Sequence, residues 1–249
     1  MKRVYFSIAD NNNLVHYNKL LNSFKKFHPK EELLLVGEEQ IKAVGDPNFF
    51  YRATPYIADQ LFSQGYDEIC KLDADQIITG NLDHIWEGDF DVAVVNNSNP
   101  REAKSYPVSV LNINPLAYVN CGFVVMKSKV FVKHWLGLCY SEHFPFYQMR
   151  EQDFLNIMCF YMSEPFNGPY KVKFLDHSDK WHGLISKQYW PNVELIDNKM
   201  VLKKNEEWPI DGDKTIVAIH FAGGNDPKKG NYRLYFKPEV IKYLDGLIK

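Results

Sequence analysis

The sequence predicts an α/β protein built on a mainly parallel sheet. An apolar run at residues 4–9, a helical pattern at 17–28 and a second apolar run at 33–36 follow one another, which indicates a βαβ unit with parallel strands. The chain has 249 residues, enough for one large core, and it contains neither an internal repeat nor a linker. We therefore expect residues 1–249 to form a single domain.

Capping signals and periodicity predict the later elements. Thr54, followed by Pro55, is expected to cap a helix that ends near Gly65. Ser128 is expected to begin another helix, and Glu151 a third that is apolar on nearly all sides and therefore buried. The other predicted elements are strands at 91–95, 118–126 and 215–219, a long loop at 96–118 and a last helix at 238–248.

Composition narrows the class of protein. The net charge of −2 gives no electrostatic footprint for nucleic acid, and no apolar run is long enough to span a membrane or to act as a signal peptide. The cysteines lie far apart among apolar neighbours, which favours free thiols in a reducing compartment; they are Cys70, Cys121, Cys139 and Cys159. We expect a cytoplasmic protein, with peripheral contact to a membrane left open.

A short apolar strand, predicted from Ile69 and Cys70 onward, ends in an acidic pair. Side-chain alternation would place Asp73 and Asp75 on the same side of that strand, where two carboxylates repel each other unless a cation lies between them. Oxygen ligands favour magnesium or manganese over zinc, and such an ion keeps positions open for the phosphates of a nucleotide. The simpler alternative is that the two acids only cap a loop.

Three further polar clusters occur at strand or helix ends. Residues 120–122 interrupt a strand, Glu151 and Gln152 open the buried helix, and His220 follows the last strand. Ligands of α/β sheets bind beyond the carboxyl ends of strands, so these clusters are candidates for one site. Each also has a structural alternative: a β-bulge for 120–122, a favourable helix-dipole charge for Glu151 and a hydrogen-bonded structural role for His220.

The order of these motifs resembles the retaining glycosyltransferases of family 8, the group of glycogenin and the bacterial galactosyltransferases. The shared pattern is Asp-x-Asp at 73–75, Asn-x-Gly at 120–122, an acid before Gln152 and His-Phe-x-Gly at 220–223, within a resemblance that covers residues 4–230. The resemblance implies the GT-A fold, a Rossmann-like mixed, mainly parallel sheet flanked by helices. It also implies metal-dependent, retaining transfer of a hexose from a nucleotide-sugar, with a UDP-sugar expected, to a glycan, lipid-linked or protein acceptor.

The resemblance assigns a role to each matching residue. Asp73, Asp75 and His220 would bind manganese or magnesium. Gln152 would lie near the anomeric carbon and Glu151 would touch the donor sugar, so these two are the candidate catalytic residues. The residues that would contact the donor are Ile8, Asp10, Asn11, Arg52, Asp73, Ala74, Asn120, Gly122, Gly223 and Lys228.

The sequence departs from the family pattern at two places. Glu151 stands where the family has aspartate, and Asp226 stands where it has lysine, with Lys228 and Lys229 following and no Pro-Trp. These departures leave a catalytically inactive sugar-nucleotide-binding protein as an alternative function. A phosphatase of the haloacid dehalogenase type is a second alternative, since it also uses Asp-x-Asp after a strand, although usually after the first one.

Overall fold

A computed structural model of the chain describes residues 1–46, 48–96, 113, 117–146, 149–183, 185, 187–204, 211–221 and 231–249. Its strands are β1 Arg3–Ile8, β2 Leu33–Val36, β3 Glu68–Leu72, β4 Gln76–Ile78, β5 Val92–Asn96, β6 Val119–Met126, β7 Val172–Phe174, β8 Lys180–Trp181, β9 Val193–Ile196, β10 Lys199–Leu202, β11 Lys214–Ile216 and β12 Ala218–His220. Its α-helices are α1 Leu14–Phe27, α2 Glu38–Ala43, α3 Ala53–Ser63, α4 Lys129–Cys139, α5 Glu151–Tyr161 and α6 Pro238–Ile248.

The central sheet has six strands in the order β2-β1-β3-β6-β5-β7. The pairs β1/β2, β1/β3 and β5/β7 are parallel, whereas β6 runs antiparallel to both β3 and β5. All strands of this sheet except β6 therefore share one direction, and the prediction of a mixed, mainly parallel sheet is confirmed. The carboxyl ends of β1 and β3, at Ile8 and Leu72, lie at the same edge.

Two smaller sheets complete the described strands. One has the order β8-β11-β10-β9, and the other pairs β12 with β4 in antiparallel fashion, so that His220 lies opposite Gln76. The prediction of a single strand at 215–219 is therefore wrong in detail. The segment forms two strands, β11 and β12, because the chain passes from one sheet to the other at Val217. His220 is the last residue of a strand, not the residue after it.

Helices cover both faces of the central sheet. Alternate side chains of β1 point to opposite faces: Phe6 packs in the cluster that contains Trp135, and Tyr5 packs in the cluster that contains Phe24 of α1. Burying each of these large side chains contributes roughly 1.5–3 kcal/mol to stability. Trp135 also donates from Nε1 to the carbonyl oxygen of Glu151 at 2.9 Å, which fixes the first turn of α5 against α4.

The capping predictions are correct at one helix and displaced at another. Ser128 caps α4, where its hydroxyl accepts a 3.2 Å hydrogen bond from the amide of Phe131. In α3, however, the helix begins at Ala53, so Thr54 lies inside the first turn and its hydroxyl does not cap the helix. The displacement matters because this hydroxyl is then available to α5.

Free thiols are confirmed: Cys70, Cys139 and Cys159 are buried and Cys121 is half-buried, all without a disulfide. Across the parts of the chain that the structure describes, no helix has both the length and the apolar character that crossing a bilayer requires.

Candidate active site

Asp73 and Asp75 lie in the turn between β3 and β4. The expectation that strand alternation would bring them together is wrong, because β3 ends at Leu72. The turn is held by the amide of Asp73, which donates to the Gly122 carbonyl at 2.8 Å, and by the amide of Gln76, which donates to the Asp73 carbonyl at 3.1 Å. The turn brings the two carboxylates toward the same histidine.

His220 completes this acidic group. Its Nε2 lies 3.3 Å from Oδ2 of Asp73 and 3.0 Å from Oδ1 of Asp75. Burial alone would lower the pKa of His220, but the Asp75 carboxylate and, less strongly, Asp73 outweigh burial and raise it. Burial in turn would raise the pKa of Asp75, and His220 lowers it. A protonated His220 thus balances part of the carboxylate charge.

The three side chains fit a divalent cation. One ligand atom from each lies within 4.8 Å of the others, and two carboxylate oxygens with one imidazole nitrogen suit manganese or magnesium. A Cβ on Gly122 would lie 2.6 Å from Oδ2 of Asp73 and closer still to the His220 ring. Only glycine therefore leaves room beside these ligands, and the cation would replace the proton of His220.

A second acidic cluster does not fit a cation. His28 lies near Glu31 and Asp83, with Nδ1 at 3.8 and 4.0 Å from their oxygens. Its Nε2, however, accepts a 3.0 Å hydrogen bond from the Leu82 amide. A neutral imidazole that accepts at Nε2 carries its proton at Nδ1, so no lone pair faces the two carboxylates.

Lys71 is a site residue that the sequence reasoning missed. Its ammonium donates to Oδ1 of Asp73 and, at 2.9 Å, to the Cys121 carbonyl. Burial alone would lower the pKa of Lys71, but Asp73, with further contributions from Cys121 and Glu151, raises it. Lys71 therefore binds Oδ1 of Asp73, while Oδ2 of Asp73 faces His220. Its position two residues before Asp73 was the available signal, because a lysine so close in sequence can reach the carboxylate.

Residues 120–122 form an irregularity in β6 beside the acidic turn. Pairing with β5 passes from Val94↔Val124 directly to Val95↔Asn120. Oδ1 of Asn120 accepts from the Gly122 amide at 2.7 Å, and Nε2 of Gln76 donates to the Gly122 carbonyl at 3.0 Å. The β-bulge that was the structural alternative for residues 120–122 is thus present, and it supports the turn that carries Asp73.

Glu151 and Gln152 begin α5 and face the bulge. The Glu151 carboxylate accepts from the hydroxyl of Thr54 at 2.7 Å and from its amide at 3.3 Å. Burial raises the pKa of Glu151, and Lys71 and the Thr54 hydrogen bonds only partly offset that rise. Oε1 of Gln152 accepts from the Cys121 amide at 3.0 Å, whereas its buried Nε2 forms no hydrogen bond to any described residue.

Arg150, directly before α5, has a strained backbone. Its φ of 54° and ψ of −121° are rarely adopted by a residue with a Cβ and cost on the order of 1–3 kcal/mol. The guanidinium lies 5.4 Å from the ring centre of Phe144 and 5.7 Å from that of Tyr51. Arg150 is the last residue of the aromatic-rich stretch 140–150, which the sequence connects with the choice of acceptor.

Asp73 of the acidic turn and the first residues of α5 line a cavity of about 290 Å³, close to the lower end of the ~300–1,000 Å³ range of small-ligand sites. Asp75, His220 and Asn120 are not part of its wall. The residues of its wall that the sequence predicted are Ile8, Asp73, Glu151 and Gln152. Those that it did not predict include Phe50, Tyr51, Thr54, Lys71 and Arg150. The described residues thus bring the acidic turn and the start of α5 to one cavity.

Other predicted donor contacts lie outside the cavity wall. Asp10 accepts at Oδ1 from the Asn13 amide at 3.0 Å, and the exposed Asn11 donates from its amide to Glu38 at 3.2 Å. Ala74 is buried in the acidic turn between the two aspartates. Gly223 and Lys228, and most of the loop predicted at 96–118, lie outside the described residues.

Arg52 is held by a neighbouring acid. Its guanidinium pairs with Asp46 at 2.7 Å and lies 4.8 Å from the ring centre of Tyr140 and 4.3 Å from that of Phe144. It is not part of the cavity wall. The ion pair favours a structural role for Arg52 over the donor contact that the family resemblance implies, and no described contact tests that donor role.

Comparison with solved structures establishes the fold. The galactosyltransferase LgtC, solved with donor and acceptor sugar analogs, is 15% identical over 98% of this chain and 95% of its own, with a TM-score of 0.62. A glycosyltransferase involved in glycosylation of the major capsid of PBCV-1 is 11% identical over 94% of this chain and 100% of its own, with a TM-score of 0.56. The glycosyltransferase GlyE of Streptococcus pneumoniae TIGR4 is 14% identical over 100% of this chain and 64% of its own, with a TM-score of 0.55.

No protein-family model and no curated protein matches the sequence. The structural matches nevertheless cover nearly the whole chain. The chain therefore has the GT-A type glycosyltransferase fold, as its motifs implied.

Proposed function

We propose that the protein is a metal-dependent glycosyltransferase that moves a hexose from a UDP-sugar to a hydroxyl of an acceptor. The observation that carries the proposal is the convergence of Asp73, Asp75 and His220 beside a cavity at the carboxyl edge of a GT-A sheet. The fold favours this activity over a phosphatase, because the structures that this chain resembles are glycosyltransferases.

The chemistry of the site suits a diphosphate leaving group. A manganese or magnesium ion held by Asp73, Asp75 and His220 would supply positive charge for the departing diphosphate. Lys71 holds Asp73 in place and adds a permanent positive charge to the cavity wall. Gln152 lies in the cavity wall, where the Cys121 amide donates to its Oε1 and holds the side chain beside the acidic turn.

The same site favours retention of configuration. Inversion needs a carboxylate or histidine that removes the acceptor proton, and the amide of Gln152 cannot do so. Of the two acids in the cavity wall, Asp73 would bind the cation, and Thr54 donates to both oxygens of Glu151. We therefore propose attack from the same face that the diphosphate leaves, with the diphosphate taking the proton. Proton NMR of the product of a gluco- or galacto-configured UDP-α-sugar should show a small anomeric coupling; a large coupling contradicts this.

The decisive experiment is UDP calorimetry with manganese and with a chelator, paired with a turnover assay on UDP-sugars. We expect UDP affinity to fall at least about tenfold in chelator, and Asp75→Asn to remove the difference. Asp213→Asn is the matched control, because Asp213 pairs with Lys203 and neither residue is part of the cavity wall. Equal affinities in both buffers contradict metal dependence. Metal-dependent UDP binding without any turnover favours the inactive sugar-nucleotide-binding alternative.

A further inference from the structure

We propose that Phe50, Tyr51 and Arg150 form the acceptor subsite, and that the acceptor is a sugar with an acidic group, a carboxylate or a phosphate. This inference rests on the proposed glycosyltransferase function. All three residues line the cavity that Glu151 and Gln152 also line. The sequence pattern gave no role to Phe50 or Tyr51, whereas Arg150 ends the aromatic-rich stretch 140–150, which we expected to take part in acceptor choice.

The two aromatic rings lie at the outer part of the cavity. Phe50 is 52% exposed and Tyr51 is 49% exposed, while Glu151 and Gln152 are buried. The rings of Phe50 and Tyr51 are almost perpendicular, at 88°, and their centres are 6.2 Å apart. The preceding residue, Phe49, is buried and anchors the short 3₁₀ helix that carries both rings. Such rings present apolar faces to the C–H groups of a sugar while the Tyr51 hydroxyl stays available for a hydrogen bond. The pair therefore suits a sugar ring that enters from solvent.

Arg150 gives this subsite its charge preference. Within the described residues, the guanidinium of Arg150 forms one hydrogen bond, from Nη1 to the Phe144 carbonyl at 3.2 Å, and no ion pair with a carboxylate. Arg52, by contrast, is neutralised by Asp46. A guanidinium presents a planar set of donors that matches a carboxylate or phosphate with two parallel hydrogen bonds. The remaining donors of Arg150 therefore favour an anionic group on the bound sugar.

The backbone of Arg150 argues against a role in packing alone. A glycine would adopt a φ of 54° without strain, so the arginine side chain is retained in an unfavourable conformation. The donor diphosphate is a rival anion for the same guanidinium. The experiment must therefore measure donor and acceptor binding separately.

The test uses three probes that differ at one position: methyl β-glucoside, methyl β-glucuronide and the 6-phosphate of the glucoside. Each is titrated by ligand-observed NMR into the protein with UDP and manganese present. We expect the two acidic probes to bind about tenfold more tightly than the glucoside, and Arg150→Gln to abolish that difference. Arg150→Lys should retain part of it. Arg233→Gln, which removes an arginine that pairs with Asp245, is the charge control.

The aromatic part of the subsite has its own readout. Tyr51→Leu should weaken all three probes several-fold, whereas Tyr161→Leu, at the equally exposed end of α5, should not. UDP affinity is measured by calorimetry for every variant and should stay within about twofold of wild type. Arg150→Gly removes both the side chain and the backbone strain. It replaces Arg150→Gln in the test if the glutamine variant does not fold.

Equal affinity for the three probes, or no binding of any, overturns the inference. A loss of UDP affinity in Arg150→Gln also overturns it, because the arginine would then contact the donor diphosphate. If wild type fails to bind UDP with manganese, the proposed function itself is wrong. If wild type binds UDP with manganese but does not discriminate the probes, this inference is wrong and the proposed function is not.

Discussion

The hydroxyl of Thr54 donates a 2.7 Å hydrogen bond to Oε1 of Glu151 and so joins the first turn of α3 to the first residue of α5. Both side chains are buried. Burial raises the pKa of the Glu151 carboxyl, and this hydrogen bond stabilises the charged form against that rise. The contact therefore sets the charge and the position of the acid nearest Gln152.

Thr54→Val tests this contact, because valine keeps the shape and removes the donor. We expect sugar transfer to slow by about 10- to 100-fold, since a hydrogen bond to a charged group contributes roughly 1.5–3 kcal/mol. The pKa of Glu151 would rise further, so the acidic limb of the rate profile should move to higher pH. UDP affinity should be unchanged, and Thr54→Ser should restore the rate. A Thr54→Val enzyme with the wild-type pH profile would contradict the role.

Gly122→Ala tests the steric requirement beside the acidic turn. The added Cβ would lie 2.6 Å from both Oδ2 of Asp73 and Oδ1 of Asn120. We expect manganese affinity to fall at least about tenfold and the free energy of unfolding to fall by about 1–3 kcal/mol. Isothermal titration and urea unfolding measure these.

Gly137→Ala is the matched control for Gly122→Ala. Nothing lies within 4 Å of a Cβ at Gly137, which is inside helix α4. This change should leave manganese binding unaltered and add roughly 0.5–1 kcal/mol to stability. Unchanged manganese affinity in Gly122→Ala would show that the cation does not bind beside this glycine.

Arg52→Ala separates a structural role from donor binding. The Arg52 and Asp46 side chains are only 16% and 18% exposed, and the guanidinium also contacts Phe144. We expect the free energy of unfolding to fall by about 1–2 kcal/mol and UDP affinity to stay unchanged. Asp46→Ala should have a similar effect on stability. A tenfold loss of UDP affinity in Arg52→Ala would instead support the donor contact that the family resemblance implies.

A pair of histidines predicts how stability depends on pH. Nε2 of His84 lies 2.6 Å from Nε2 of His182, and burial, followed by His182 and Lys180, lowers the pKa of His84 to about 3. An unfolded histidine binds a proton below about pH 6.5, whereas the folded His84 does not until about pH 3. With respect to His84, the free energy of unfolding therefore has its full value above about pH 6.5 and declines as the pH falls toward 3.

His84→Gln should flatten this decline. Because His84 is partly exposed, we expect it to account for about 1 kcal/mol of the loss between pH 6.5 and pH 5. Urea unfolding at pH 7, 6 and 5 measures the effect. His143→Gln is the control, since His143 is largely exposed. The same pH slope in His84→Gln and wild type would refute the assignment.

Local sequence determined the elements of this protein. The spacing of Leu20 and Phe24 predicted α1, the apolar runs predicted β1 and β2, and α6 spans the predicted residues 238–248. These predictions hold because helix and strand periodicity, and caps such as Ser128, are properties of neighbouring residues. The motif order also indicated the GT-A fold, which the comparison with solved structures confirms.

Only the tertiary structure decided how the site is assembled. The pairing of β12 with β4 brings His220 to Asp73 and Asp75, and no local pattern specifies that pairing. The choice of Asp46 as the partner of Arg52, and of Asp73 as the partner of Lys71, likewise depends on which charges the folded chain buries together. Periodicity is local, whereas a buried charge takes whichever counter-charge the packing of distant elements places within reach.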